Sequence, residues 1–600
     1  MEIQINLSKK KISNISIGDN VYCYNQFDET FSVGKVTNFF TPTIKKECQE
    51  EIEIGEETLY TSNIHPFYDY GNKKWIDSRE IDEIVGLGIA NDGILIKNKH
   101  QYKSNTDKTF YDFTVDNYHN YFVGKNNSFT LTHNSATVHF PIWHREIEDI
   151  LVLKNNKGTE DNRVRHLDYS IQISKLFYER FINNQEISLF SPHDVPGLSH
   201  IFGTIGFDNL YLMYEKDLSV PRKTIKAQEL FLSLLKERAE TGRIYIMNID
   251  HCNEHSSFKE KVSMSNLCQE ITLITKPLQH IDDPNGEIAL CILSAINVGK
   301  LKKLDDLEEL CDLSVRALDE LIDYQKYPIV AAEKSTKNRR SLGIGYIGLA
   351  HYIAKHGYKY WDKETIQLVH DLSEALQYYL LKSSNELAKE KGKCGYFDKT
   401  KYSDGILPID TYKKEVDSIV SNELKYDWES LRSSIVEHGL RNSTLSAQMP
   451  SESSSVVSNE TNGIEPPRGF LSIKQSKKGP LKQIVPQYNT LKNNYTLLWD
   501  MPSNEGYINI VAVMQKFFDQ AISANWSYNP ENYKDNEVPI SVMARDMLET
   551  YRLGHKTAYY QNTYDFKKDV DEETKKEIDD LIESILDGVG EQESCDSCTI

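Results

Sequence analysis

Two kinds of spacing divide this chain of 600 residues. Over residues 1–134, short runs such as DNVYCYN and FSVGKVTNFF alternate apolar with polar positions, and Gly, Asn and Pro punctuate them. A period of two closed by turn residues predicts strands, so this stretch is expected to be small and all-β. From about residue 145 the period lengthens: KAQELFLSLLKERAE, LEELCDLSVRALDELI and LVHDLSEALQYYLLKSSNELAKE each gather apolar side chains on one helical face. Between such helices lie the compact apolar runs RIYIMNI and EITLITK, which predict buried strands and make the body α/β. No internal repeat is present. Residues 564–600 form an acidic tail in which Ile578, Leu581, Ile582 and Ile585 predict an amphipathic helix, followed by a looser DGVGEQES before Cys595 and Cys598.

The two textures meet at His133-Asn134-Ser135 with no linker. Upstream, YDFTVDNYHNYFVGKNNSFTLTHN ends in asparagine; downstream, SATVHFPIWHREIEDILVLKNN starts with no cap, turn or polar leader. An asparagine followed by a hydroxyl residue is what protein splicing needs at its downstream junction. The Asn134 amide can attack its own carbonyl, and the Ser135 hydroxyl can accept the acyl group. The tripeptide alone is equally a turn, and its flanks decide. The expected units are residues 1–134, 135–563 and the tail 564–600.

Composition narrows the setting. Hydrophobic residues at 39% and charged residues at 26% describe a globular chain, and a net charge of −20 argues against nucleic acid as a partner. No apolar run approaches the ~20 residues that span a bilayer, and MEIQINLSKKK lacks the order of a signal peptide. A cytoplasmic location is expected, in a bacterium or, for a viral protein, in its host. Nine cysteines, an odd number, favour redox thiols over a disulfide framework.

Residues 1–134 resemble the splicing (Hint) domain of an intein. INLSKKKISNISIGDNVYCYN is similar to the early strand region, and LYTSNIHPFYDYGNKKWIDS to the block whose histidine, here His65, promotes the first acyl shift. The stretch from Tyr111 to Asn134 resembles the terminal block. The resemblance implies Asp112 and His119 for proton transfer and His133 for polarising the scissile peptide, work that suits a pKa near ambient pH. An intein starts with Cys or Ser, whereas Met1 stands here. The expectation is therefore a split intein whose first nucleophile comes on an upstream fragment that pairs with an open sheet edge. A degenerate intein with an inert downstream half is the alternative.

From Ser135 onward the chain resembles the C-terminal part of the large, catalytic subunit of class I ribonucleotide reductase. The motifs, in order, are VLKNNKGTEDNRVRHLDYSIQISKLFYERF, LFSPHDVPGL, GRIYIMNIDHCNEHS, SNLCQEI, GEIALCILS, RRSLGIGYIGLA, MPSESSSVVSNETNGIEPPRG and YYQNT. The resemblance implies the C-terminal portion of a ten-stranded α/β barrel, its first part on the upstream fragment. SNLCQEI is expected on a strand or a finger loop, where residues at i, i+2 and i+4 would share one face. There Cys268 can carry a thiyl radical, Glu270 can act as base, and Asn266 can hydrogen-bond the ribose hydroxyls. By composition alone a cysteine in an apolar run is a small buried hydrophobe; the resemblance assigns the chemistry. It also makes Cys291 one of the two reducing thiols, its partner lying upstream, and Tyr559 and Tyr560 a radical relay with Tyr559 nearer Cys268.

The segment Pro450, Ser451, Glu452, Ser453, Ser454 is expected to be a hydroxyl-rich turn that cradles the diphosphate of a ribonucleoside diphosphate. Cys595 and Cys598 resemble a shuttle dithiol served by thioredoxin or glutaredoxin. No cofactor is expected on the chain itself. The radical would come from a metal-containing small subunit, with ATP and deoxynucleotides as effectors. Two motifs are set aside. GIGYIG (343–348) fits a dinucleotide fingerprint but follows the polar KSTKNRRS. His251 to His255 fits H-x-x-E-H, but the turn after RIYIMNID is expected to be too abrupt for one helix face, and no metal site is expected.

Overall fold

The computed structural model describes residues 137–565, except 156, 158–162, 165–166 and 477–478, together with the backbone of the strands between Glu2 and His133 and at 473–476 and 479–481. Every described element up to His133 is a strand. Glu2–Ile5 runs antiparallel to Asn120–Lys125, which forms a hairpin with Ser128–His133. Between Lys125 and Ser128 stand Asn126 and Asn127, residue types that a two-residue hairpin turn selects. Thr132 lies opposite Phe67 in Pro66–Asp69, within the same ten-stranded sheet. A separate three-stranded sheet joins Asn20–Asn25, Thr30–Phe40 and Asp112–Val115.

At Thr137 the pairing turns parallel. Thr137–Pro141, Asp168–Ile173 and Ile244–Asn248 lie side by side, and Thr557–Ala558 is antiparallel to the last of them. On the other flank Ile292–Asn297 is parallel to Leu342–Ile347. The Ile344 N–H donates to Leu445 O at 2.8 Å, and Gln448 bridges in parallel to Ile522. The Tyr559 N–H then donates to Ala524 O at 2.9 Å, and Trp526–Tyr528 runs parallel to Gln561–Thr563. These links join the two flanks into one wall of an α/β barrel. Of its parallel strands, Ile244–Asn248 and Leu342–Ile347 are buried along their whole lengths, on both faces, while Thr137–Pro141 and Ile292–Asn297 are mostly half-buried.

The helices pack outside. Ala227–Thr241 ends at Gly242, whose φ of 69° only glycine adopts cheaply and whose N–H returns to Arg238 O at 2.8 Å. Asp306–Tyr324 carries Asp306, Glu308 and Glu309 in its first turn, where the helix dipole favours them, and buries Leu307, Cys311, Val315, Leu318 and Ile322. Lys363–Lys391 packs across Asp306–Tyr324. Among the described residues no helix is long and apolar enough to cross a membrane.

Two expectations change, and the motif GIGYIG, set aside above, finds its place. EITLITK is buried but forms no strand; a single bridge, Lys276 to Glu287, is its ladder contact. GIGYIG is itself the buried strand Leu342–Ile347, its glycines making room for neighbours: a Cβ on Gly345 would lie 2.6 Å from Ala447 O. The last two residues of RIYIMNID already begin a short helix, Ile249–Glu254, which His255 ends, and not an abrupt turn.

Candidate active site

Of the strand and the finger loop expected for SNLCQEI, the structure has the loop. Residues Asn266 to Gln269 form a turn in which the Gln269 N–H donates to Asn266 O at 3.2 Å, and Gln269 has a φ of 71°. The left-handed residue reverses the chain, so Asn266, Cys268 and Glu270 are grouped by a turn and not by a two-residue period. The barrel wall pins the loop. His139 Nε2 bonds Ser265 O at 2.9 Å, Gln172 Nε2 donates to Ser263 O at 2.7 Å, and Ser170 Oγ donates to Gln269 Oε1 at 2.8 Å. From the opposite flank the Ala521 N–H donates to Glu270 O at 3.0 Å, and Ser523 Oγ bonds both Cys268 O and, at 3.2 Å, Glu270 Oε2.

The acid–base state of this loop follows from burial. Glu270 is 2% exposed, and desolvation raises its carboxyl above the usual range, opposed by hydrogen bonds from Asn266 and Ser523. Burial also raises the Cys268 thiol. A raised thiol pKa keeps the S–H proton in place at neutral pH, which suits hydrogen-atom exchange better than thiolate nucleophilicity. Asn266 Oδ1 is occupied by the Ile271 N–H at 3.0 Å, leaving its amide to face Glu270.

Tyr559 and Tyr560 occupy the gap between Thr557–Ala558 and Gln561–Thr563, where the chain changes ladder partner. The Tyr559 hydroxyl lies 3.5 Å from Cys268 Sγ, and the two tyrosine rings stand 3.9 Å apart between centroids at 39°. Burial raises the Tyr559 phenol, so it too stays protonated. The Arg243 guanidinium sits over the Tyr560 ring at 5.7 Å. Cys291 precedes strand Ile292–Asn297, with Gln520 Nε2 at 3.6 Å from its sulfur. A Cβ on Gly343 would lie 2.9 Å from that sulfur, so only glycine leaves it room. Burial pushes the Cys291 thiol up, and the charge of Glu270 adds to the shift.

Pro450 to Ser454 is not a free turn. Ser451 is buried and caps the short helix Glu452–Val457, its Oγ donating to Met449 O at 3.3 Å, while Glu452, Ser453 and Ser454 are exposed. A cleft of about 1040 Å³ opens beside Pro450 and Glu452 and reaches Tyr559 and Tyr560, with Arg243, Arg468 and Glu465 around it. Cys268 does not line it. The cleft therefore belongs to the outer end of the tyrosine pair and not to the sulfur.

His65, His119, Asn134, Ser135, Cys595 and Cys598 lie outside the described residues. Asp112 opens the strand Asp112–Val115 opposite Phe40, and His133 ends its strand directly opposite Asn120, the residue after His119. His251 and His255 are committed elsewhere: His251 Nδ1 bonds His555 O at 3.0 Å and His255 Nε2 bonds Gln515 O at 2.7 Å. Among the described residues no cluster of three or more metal-ligating side chains occurs.

Several site residues gave no signal in the sequence. Ser523, Gln520, Asn525 and Arg238 belong to no recognisable motif and are brought in by barrel topology. Asn525 accepts from the Tyr560 N–H at 3.0 Å and donates to Glu465 Oε1 at 2.5 Å; burial raises the Glu465 carboxyl to about 7.

Fold and site together define an α/β-barrel protein with a half-buried thiol in contact with a closely packed tyrosine pair. A family model described as ribonucleotide reductase, barrel domain, matches residues 120–561, and one described as pretoxin HINT domain matches residues 3–139. The chain belongs to the ribonucleotide reductase barrel family and carries a HINT domain ahead of it. Ribonucleoside-diphosphate reductase subunit alpha of Haemophilus influenzae is 59% identical over 444 residues, covering 73% of this chain and 59% of the relative. Ribonucleoside-diphosphate reductase 1 subunit alpha of Escherichia coli is 55% identical over 466 residues, 77% of this chain and 60% of the relative. The subunit alpha of enterobacteria phage T4 is 45% identical over 441 residues, 72% and 58% of the two chains. The chain thus spans about three fifths of the length of these relatives.

Proposed function

We propose that this chain is the downstream part of the large subunit of a class I ribonucleoside-diphosphate reductase, and that its HINT domain joins it in trans to an upstream fragment. The contact from Cys268 to Tyr559 and on to Tyr560 carries this reading, since a thiol held protonated beside a phenol needs only a hydrogen atom to pass between them. A tyrosyl radical at Tyr559 would take the hydrogen of Cys268. The S–H bond breaks, an O–H bond forms, tyrosine is restored and sulfur becomes a thiyl radical. The thiyl then abstracts hydrogen from the ribose 3′ carbon, and Glu270 takes the 3′-OH proton while Asn266 holds the carboxylate in place. Of the two thiol hydrogens of Cys291 and a second thiol on the upstream fragment, one leaves with the 2′-hydroxyl as water and one replaces it at the 2′ carbon, while the two sulfurs close a disulfide and so supply the two electrons. Cys268 returns its hydrogen at the end.

The radical would reach Tyr560 from a metal-containing small subunit, and Cys595 with Cys598 would pass electrons from thioredoxin or glutaredoxin. Ribonucleoside diphosphates are the substrates on this reading, with ATP and deoxynucleotides as effectors and the Pro450–Ser454 segment near the diphosphate. The test is Cys268→Ser in the joined subunit. Turnover should fall by about a thousandfold or more while substrate Kd changes less than about threefold. Retained turnover would remove the reading.

A further inference from the structure

Arg238 lies on helix Ala227–Thr241 and is 0% exposed. Its guanidinium reaches through the wall to the switch point that carries the tyrosine pair. One terminal nitrogen donates to Ile244 O and, at 2.6 Å, to Tyr559 O; the other donates to Tyr560 O at 3.2 Å. The plane stands 5.9 Å over the Trp526 ring, and Nε has no partner. Among the described residues its charge faces the hydroxyls of Tyr528, Tyr245 and Tyr178 and no carboxylate, and burial lowers its pKa to about 10.

A buried guanidinium without a carboxylate is costly, and an apolar side chain would pack a helix against a strand at less expense. What an apolar residue cannot do is hold two consecutive carbonyls in one plane. Between Thr557–Ala558 and Gln561–Thr563 the ladder is interrupted at the two tyrosines. There the Tyr559 N–H uses Ala524 O, the Tyr560 N–H uses Asn525 Oδ1, and the Trp526 N–H reaches Tyr560 O at 2.9 Å. The Tyr559 carbonyl is the group these contacts leave over, and Arg238 takes it together with its neighbour.

We infer that Arg238 is a positioning residue for radical transfer: its planar fork fixes the Tyr559–Tyr560 backbone so that the rings stay in contact and the Tyr559 hydroxyl stays against Cys268. This rests on the relay reading above. A shift of about 1 Å at a transfer distance is enough to cost on the order of a hundredfold in rate. Lysine at this position keeps the charge but has no planar fork to hold both carbonyls.

The experiment uses the joined large subunit with its small subunit and compares Arg238→Lys, Arg238→Gln and Tyr559→Phe. Both Arg238 variants should lose about tenfold or more in kcat, with KM for the ribonucleoside diphosphate within about twofold, since Arg238 is not placed against substrate. Wild-type kcat in either folded variant overturns the inference, as does a loss carried by KM. If the glutamine variant does not fold, the lysine variant alone decides. Failure of both to fold overturns it too, because Arg238 would then serve the fold and not the pair. Tyr559→Phe separates the two levels. Activity retained there removes the relay itself, whereas activity lost there with wild-type Arg238 variants removes only the role given to Arg238.

Discussion

Glu270, the base on the proposed reading, is buried at the expense of the fold. Burial raises its pKa, so the folded chain holds this proton more tightly than the unfolded chain does. Below the ordinary glutamate pKa both states are protonated and no penalty exists. As pH rises from there toward the raised folded value, the unfolded state ionises freely and the folded state does not, so stability falls; above the folded value the loss is complete. Glu270→Gln removes the penalty. The variant is expected to be more stable than the parent at pH 7, to lose that advantage near pH 4, and to be inert in reduction. Denaturant midpoints of the chain at the two pH values check this, and a variant that is less stable at both would contradict it. Glu270 was visible in the sequence because it belongs to a compact motif. Ser523, its hydrogen-bond partner 253 residues away, was not. No spacing rule links residues that only the barrel brings together.

At the scale of elements, legibility followed period length. The helices at Ala227–Thr241, Asp306–Tyr324 and Lys363–Lys391 repeat their apolar positions over several turns, and each was readable from that repetition. Short apolar runs were ambiguous: RIYIMNI became a strand, EITLITK did not, and SNLCQEI lost its alternation to one left-handed residue. What locks helix to strand is also hidden from periodicity. Asp319 faces inward from Asp306–Tyr324, accepting from Arg340 Nε at 2.6 Å and from Arg441 Nε at 3.1 Å, and it is fully buried. Arg340 opens the run into strand Leu342–Ile347 with a φ of 48° and forks onto Asp323 at 2.9 and 2.8 Å. Removing one partner of a buried pair leaves uncompensated charge. Asp319→Ala should therefore cost about 3–5 kcal/mol in chemical unfolding, whereas Asp323→Ala, at the half-exposed end of the same cluster, should cost about 1 kcal/mol or less. Equal losses at the two positions would show that burial is not what gives Asp319 its weight.

For the whole molecule, the change of period near residue 145 and the change from antiparallel to parallel pairing after His133 mark one boundary, and the two family matches overlap across it, at residues 120–139. The register explains why a splice junction would sit there. Strand Ser128–His133 lies between Asn120–Lys125 and Pro66–Asp69, with His133 opposite Asn120 and Thr132 opposite Phe67. Asn120 and Phe67 are therefore neighbours of the end of that strand; in the sequence His119 precedes Asn120, His65 precedes Pro66 and Asn134 follows His133. If that end is a working junction, co-expression with the upstream fragment should release residues 1–134 and yield a product in which residues 135–600 are ligated to the fragment, read directly as intact mass. Asn134→Ala should block release at this end, and Ser135→Ala should block ligation while leaving Asn134 in place. Reduction of ribonucleoside diphosphates should then appear only in preparations that contain the ligated species and scale with its amount. The reason is that the second reducing thiol would be carried upstream, so no rearrangement of the 600-residue chain alone could complete the two-electron step. Turnover by the unligated chain at a rate comparable to the ligated product would break the link between the two halves of the proposal, even if Cys268 proved essential in both.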